Sequence, residues 1–329
     1  MLSEQKQDLV KKMALQDDFS NAGEIIEYVN RNVKEFYEYF QNIKDLLYKP
    51  ATDENCMRAF QNFVKIFDNI PLMATKLPES RTIVRARPNY NSEEFSKQSE
   101  ISFHPNSNEI KANRFNVSGV QIFYGALQTD NKLDFSLTSC LESCKAFTSP
   151  NNPVELQDMT IGLWQLNEVL PIVNLCFDEQ HLRTNISLKN ATNQYLAMLK
   201  ENYSVEAYEF VLEFFSYFSG LSRENMDNNE CYYILSALFE AIKYYYVEVM
   251  KVPFTGIIYP SSATEGIGLN IALVPPVINY HILKLSKVGM YRFILNQENN
   301  TYNSKPCSNL VDVIDGEFKI TNYKPISRI

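Results

Sequence analysis

Histidine is nearly absent: the 329 residues include three, His104, His181 and His281, far apart along the chain. A zinc centre built on histidine or a Ser/His triad therefore has little raw material. Glycine is also scarce, at ten residues. Gly266 and Gly268 lack the third glycine and the strand-then-helix setting of a dinucleotide fingerprint, which argues against a Rossmann domain. The six cysteines (Cys56, Cys140, Cys144, Cys176, Cys231, Cys307) show no paired metal-ligand spacing. Cys140 and Cys144 would share one helix face, but nothing near them completes a site, so all six read as reduced, mostly buried thiols and no metal is expected. Positive charge is short, with 31 Lys and Arg against 39 Asp and Glu and a net charge of -8. That balance disfavours nucleic acid as a partner, since duplex binding is driven largely by cations neutralising phosphates. No apolar run approaches membrane-spanning length, and Met1 to Ser20 is polar and charged instead of basic and then apolar. Neither a membrane partner nor a secretory signal is expected, and the cytoplasm is the expected compartment.

What is plentiful is aromatic: 21 Phe and 20 Tyr, which predict a ring-rich core. Ile26, Val29, Val33, Phe36, Phe40, Ile43 and Leu47 keep the three-four spacing of one helix face, ended by Pro50. A second helix runs from Cys56 to Ile70 and stops at Pro71. Fewer than four heptads, with phenylalanines at the seam, favour a helical hairpin packed on the chain's own body over a dimerising coiled coil, though a homo-oligomer remains open. Pro78 marks an expected boundary. Ile83 to Arg87 then reads as a strand, Pro88 to Asn113 as a long irregular cover loop, and Val120 to Tyr124 as a short buried strand. A helix is expected from about Asp134 to Phe147, a strand over Met159 to Leu163, and helices from about Asn190 to Met250. Strands are expected again at Gly256 to Tyr259, Leu269 to Val274, Met290 to Leu295 and Phe318 to Ile320, whereas Val169 to Phe177 stays undecided.

One stretch organises the rest. Asn113 to Ala126 begins with a fixed cation among amides, turns at Ser118 and Gly119, and ends in an apolar run closing on Tyr124. A guanidinium is a planar fork suited to carboxylate or phosphate oxygens. Arg114, Phe115 and Asn116, then Gly119, then the run to Tyr124, resemble the signature block of the RES domain, the toxin half of RES/Xre toxin–antitoxin pairs. Val84, Arg85, Ala86 and Arg87 resemble that family's opening strand. Gly256 to Ser262, followed by Gly268 to Leu273, resembles its closing strand.

The resemblance implies an α+β protein with an ADP-ribosyltransferase-like mixed sheet. A helical region would occupy residues 1–78, the RES-like domain 79–290 with a helical insertion at about 178–250, and C-terminal strands and tail 291–329. It also implies consumption of NAD, as substrate, by cleavage of the nicotinamide–ribose bond and passage of ADP-ribose to water or phosphate. Transfer to a protein, or a non-catalytic interaction protein on the same fold, are the alternatives. The implied site comprises Arg114, Tyr124, Ser261 (favoured over Ser262), Asn270, and Arg85 with Arg87 as its rival on the same strand face. An antitoxin or regulatory protein is the implied macromolecular partner. Positive charge that builds on the ribose calls for a carboxylate. The gap after Tyr124 is longer here than in the family and leaves Asp130, Asp134 and Glu142 in contention. Glu142, which follows Leu137 to Leu141 on the expected helix, is preferred.

Overall fold

The computed structural model describes residues 5–7, 22–90, 93–104, 106–128, 137, 140, 156–177, 186–223, 232–264, 267–296 and 301–323. The two N-terminal helices form as their spacing predicts: α1 spans Ala22–Leu46 and α2 spans Asp53–Phe67. Thr52 caps α2, its hydroxyl accepting from the Asn55 N–H at 3.2 Å. Three further long helices follow in the middle of the chain, α3 (Ile186–Asn202), α4 (Val205–Leu221) and α5 (Tyr232–Tyr244). A π-helical turn at Tyr245–Val249 continues α5.

Phenylalanine decides how these helices meet. Phe210, Phe214, Phe215 and Phe218 on α4 are fully buried. Phe36 and Phe40 of α1 lie 5.8 and 6.3 Å from the Phe210 ring, while Phe63 and Phe67 of α2 lie 6.2 and 5.8 Å from Phe214. Three of these pairs meet edge to face and Phe36–Phe210 is tilted, and edge-to-face rings at these separations add attraction beyond their buried area. The hairpin therefore packs on its own chain, as the phenylalanine-rich seam implies.

The strands are β1 (Ala74–Leu77), β2 (Thr82–Pro88), β3 (Phe123–Leu127), β4 (Leu156–Leu166), β5 (Leu170–Asn174), β6 (Gly256–Pro260), β7 (Leu269–Leu273), β8 (Leu283–Asn296), β9 (Thr301–Pro306) and β10 (Val311–Asp312). A short helix α6 (Pro275–Asn279) links β7 to β8. Together the strands make one ten-stranded mixed sheet in the order β1-β5-β6-β7-β3-β2-β4-β8-β10, with β9 also on β8. Among the described strands β5 and β6 pair in parallel and the other ladders are antiparallel. The protein is thus α+β, a mixed sheet with N-terminal helices. β1 precedes Pro78 yet forms a sheet edge on β5, so the sheet begins ahead of the boundary read at residue 78, and β8 runs across the one read at 290.

Ladder register sorts side chains between the two faces, because directly opposed residues project to the same side. Ile83 faces Leu127 and Trp164, so Ile83, Arg85 and Arg87 share a face with Phe123, Leu127 and Trp164. Val84, Ala86, Tyr124, Ala126, Asn270 and Tyr259 share the opposite face. Of the helix read at Asp134 to Phe147, Leu137 and Cys140 are described. Both are buried against that second face with Val84 and Ala86. The remainder of that helix lies outside the described residues. Gly256 sits at φ +147°, where a Cβ would come within 2.1 Å of the Ala272 carbonyl oxygen, so only glycine fits between β6 and β7 there.

Candidate functional site

The Arg114 segment is a compact turn. The Asn113 N–H donates to the Asn116 carbonyl at 2.9 Å and the Asn116 N–H returns to the Asn113 carbonyl at 3.3 Å. The Asn113 side-chain oxygen accepts from the Arg114 N–H at 2.8 Å, and the Asn116 amide donates to the carbonyls of Lys111 and Val117 at 3.1 and 2.9 Å. Gly119, at φ +84°, turns the chain toward β3. The Phe115 ring fixes the turn from below, 4.8 Å from Tyr259 of β6 and 6.1 Å from Phe239 of α5.

Tyr124 fastens this turn to the sheet. Its hydroxyl accepts from the Phe115 N–H at 3.0 Å and donates to the Asn116 side-chain oxygen at 2.8 Å. Burial pushes the phenol pKa well up, against the opposing pull of the Phe115 N–H and the Arg114 charge. The hydroxyl is thus a neutral clasp holding the arginine loop in place.

The Arg114 guanidinium lies near two phenol rings, 5.9 Å from the centroid of Tyr232 at the start of α5 and 5.8 Å from that of Tyr259. Aromatic faces at this range attract a guanidinium electrostatically. Nη2 reaches the Ser262 hydroxyl at 3.5 Å. Ser261 is fully buried, its N–H donating to the Gly268 carbonyl at 2.9 Å. Asn270, 3% exposed, stands directly across the ladders from Tyr259 and Ala126. Segments far apart in sequence, carrying Arg114, Tyr124, Ser261 and Asn270, thus converge on one face of the sheet.

Arg85 and Arg87 lie on the other face. Arg85 donates from Nε to the Ile101 carbonyl at 3.1 Å and from Nη2 to the Ser102 carbonyl at 2.9 Å, and its Nη1 meets the Tyr124 carbonyl. Its guanidinium sits 4.9 Å over the Phe123 ring. Burial, above all, lowers its pKa to about 10. Arg87 donates to the Glu100 carbonyl and covers Phe95 at 4.6 Å. Both arginines bind the backbone of the 98–102 turn to β2, so the structure groups them with the loop that covers that face.

No family model matches the chain, and neither does any curated protein. What can be said of the site therefore rests on its own geometry. Asp130, Asp134 and Glu142 lie outside the described residues. No cluster of His, Cys, Asp or Glu able to hold a metal occurs among the described residues. Cys56, Cys140, Cys176 and Cys307 form no disulfide. No helix among the described residues is long and apolar enough to cross a membrane.

Two participants escaped the sequence reading. Tyr259 stands in the closing block but carried no role there, because a strand tyrosine gives no sign of which face it takes until its register is known. Tyr232 lies at the head of a helix whose apolar spacing marks it as core, and its contact with Arg114 is wholly tertiary. The hydroxyl that meets Arg114 is that of Ser262, the neighbour of the favoured Ser261.

Proposed function

We propose that this protein consumes NAD, cleaving the nicotinamide–ribose bond on an ADP-ribosyltransferase-like version of its mixed sheet, as the RES resemblance implies. The observation that carries the reading is the convergence of Arg114, Tyr124, the Ser261–Ser262 turn and Asn270 on one sheet face. The three blocks that resemble the family are separated by long stretches of chain, and two of them supply this neighbourhood. A guanidinium is a planar fork that suits the oxygens of a pyrophosphate, and that of Arg114 sits beside Tyr232 and Tyr259. The carboxylate that stabilises the developing charge on the ribose is assigned to Glu142 by the resemblance alone. In this reading Arg85 and Arg87 hold the cover loop and do not touch the dinucleotide.

Incubation with NAD, with and without phosphate and with candidate protein acceptors, followed by identification of the ADP-ribose product, separates hydrolysis, phosphorolysis and protein modification. Arg114→Lys keeps the charge and loses the bidentate fork. It is expected to weaken NAD binding at least about tenfold, roughly one charge-assisted hydrogen bond, with little change in thermal stability. Absence of nicotinamide release from the wild-type protein would reject the reading.

A further inference from the structure

A concavity of about 600 Å3 lies on the flank of the Arg114 turn, where Gly119 and Phe239 belong to its lining while Arg114, Tyr124, Ser261 and Asn270 do not. Ser107 and three longer segments wall it: the chain from Gly119 to Ile122 ahead of β3, the C-terminal half of α5 with the π-helical turn, and the paired stretches at 253–255 and 274–277 that flank β6 and β7. Its volume falls in the range of small-molecule sites, which run from roughly 300 to 1,000 Å3.

The walls offer little polar chemistry. Phe239, Phe254, Val120, Ile122 and Val274 present hydrocarbon, and Pro253, Pro275 and Pro276 carry no N–H. Pro275 and Pro276 occupy the first positions of α6, so that helix start offers an anion no donors from them. The Thr255 hydroxyl is turned to the Pro171 carbonyl, the Val274 N–H to the Thr255 carbonyl at 3.1 Å, and the Gln121 amide to the His104 carbonyl at 2.9 Å. What remains is the Ser107 side chain and one ion pair of the wall, Lys243, whose ammonium meets the Glu240 carboxylate one turn back on α5 at 3.0 Å. An ammonium has three donors, and Glu240 occupies one of them.

We infer that this cleft binds an amphipathic monocarboxylate, its hydrocarbon or aryl body between Phe239, Phe254 and the proline wall and its carboxylate on the remaining Lys243 donors. An apolar body gains by leaving water in proportion to its buried area. A half-exposed ion pair adds less and fixes the orientation.

Calorimetric titration of the full chain with decanoate, decanol and decylamine, each below its micelle-forming concentration, tests this. Saturable binding of decanoate is expected, about three- to fivefold tighter than decanol, the scale of one exposed ion pair, with decylamine weaker than both. Lys243→Gln should bring decanoate to the level of decanol. Val247→Trp, at an exposed position on the cleft wall, should weaken all binding at least tenfold without lowering the melting temperature. Absence of saturable decanoate binding, binding that neither variant alters, or decylamine binding as tightly as decanoate would overturn the inference. None of these outcomes depends on whether the protein cleaves NAD.

Discussion

A single hydroxyl holds the arginine loop to the sheet, and its removal is the most direct probe of that arrangement. Tyr124→Phe keeps the ring and strips both hydrogen bonds, leaving the Phe115 N–H and the Asn116 oxygen without them. Since both residues are buried, the variant is expected to lose about 1–3 kcal/mol in denaturant unfolding, the scale of orphaned buried polar groups. Amide exchange at residues 113–119 should accelerate, and wild-type exchange rates there would show that the clasp is dispensable. The opposite sign is expected at Thr192, which is 1% exposed and whose hydroxyl has no hydrogen-bond partner. Thr192→Val replaces a buried, unsatisfied oxygen with a methyl of similar size. It should raise stability by about 1 kcal/mol, visible as a higher melting temperature. At this scale the sequence singled out Arg114, Tyr124 and Asn270 through residue types in a recognisable order, and the structure brings them to one neighbourhood of the sheet. Alternation also put Arg85 and Arg87 on a common face. Which face that was depended on the pairing of β2 with β3 and β4, and residue types carry no record of register.

Elements were legible where one face meets water and another meets the core. The three-four spacing of α1 and α2 sits on such a boundary, and its burial supports a test. Phe36, 1% exposed and packed on Phe210, should cost about 3–5 kcal/mol when truncated to Ala, as large core deletions do. A near-neutral effect accompanied by loss of a dimer would instead point to a seam between chains. β5 stayed undecided because all five of its residues are buried, and a strand covered on both sides loses its alternation. β9 was passed over for the reverse reason: Asn303, Lys305 and Pro306 are exposed and Ser304 is only partly covered, so its polar run resembles a loop. β3 begins at Phe123 and not Val120, because Val120 to Ile122 line the cleft beside α5 before the ladder starts. The stretch from Phe318 to Ile320 forms no strand. Phe318 is buried, with its N–H donating to the Ser96 carbonyl at 2.8 Å, a hydrophobic anchor without a ladder.

For the molecule as a whole, the wealth of tyrosine sets the response to alkali. Tyr203 and Tyr233 are pushed up to about 12, chiefly by burial, and Tyr39 to about 12, chiefly by its hydrogen bond to Glu35. Burial also raises Tyr195 and Tyr246. In the unfolded chain a phenol ionises near pH 10, so from about pH 10 to 12 the folded state holds protons that the unfolded state has released. Stability must then fall as pH rises through that window, and these groups leave it unchanged below it. Urea unfolding at about pH 8, 10 and 11 checks this, and a flat profile would mean the rings are more open to water than their burial indicates. The α+β class was readable from the mixture of helical and alternating patterns. The strand order was not, since it is set by pairings between segments remote in sequence.

That strand order has a consequence for how the chain acquires its shape during synthesis. β1 waits for β5, β2 waits for β3 and then β4, β3 waits for β7, and α1 waits for α4. No two described strands that pair with each other have both left the ribosome until residue 127 has been made, and the centre of the sheet is complete only after β7. β1 and β2 must therefore emerge with their edges unpaired, and the α1–α2 hairpin with the phenylalanine face that α4 later covers still open. Contacts so distant along the chain fold slowly and expose aggregation-prone intermediates, so the nascent protein should depend on chaperones far more than its finished core would suggest.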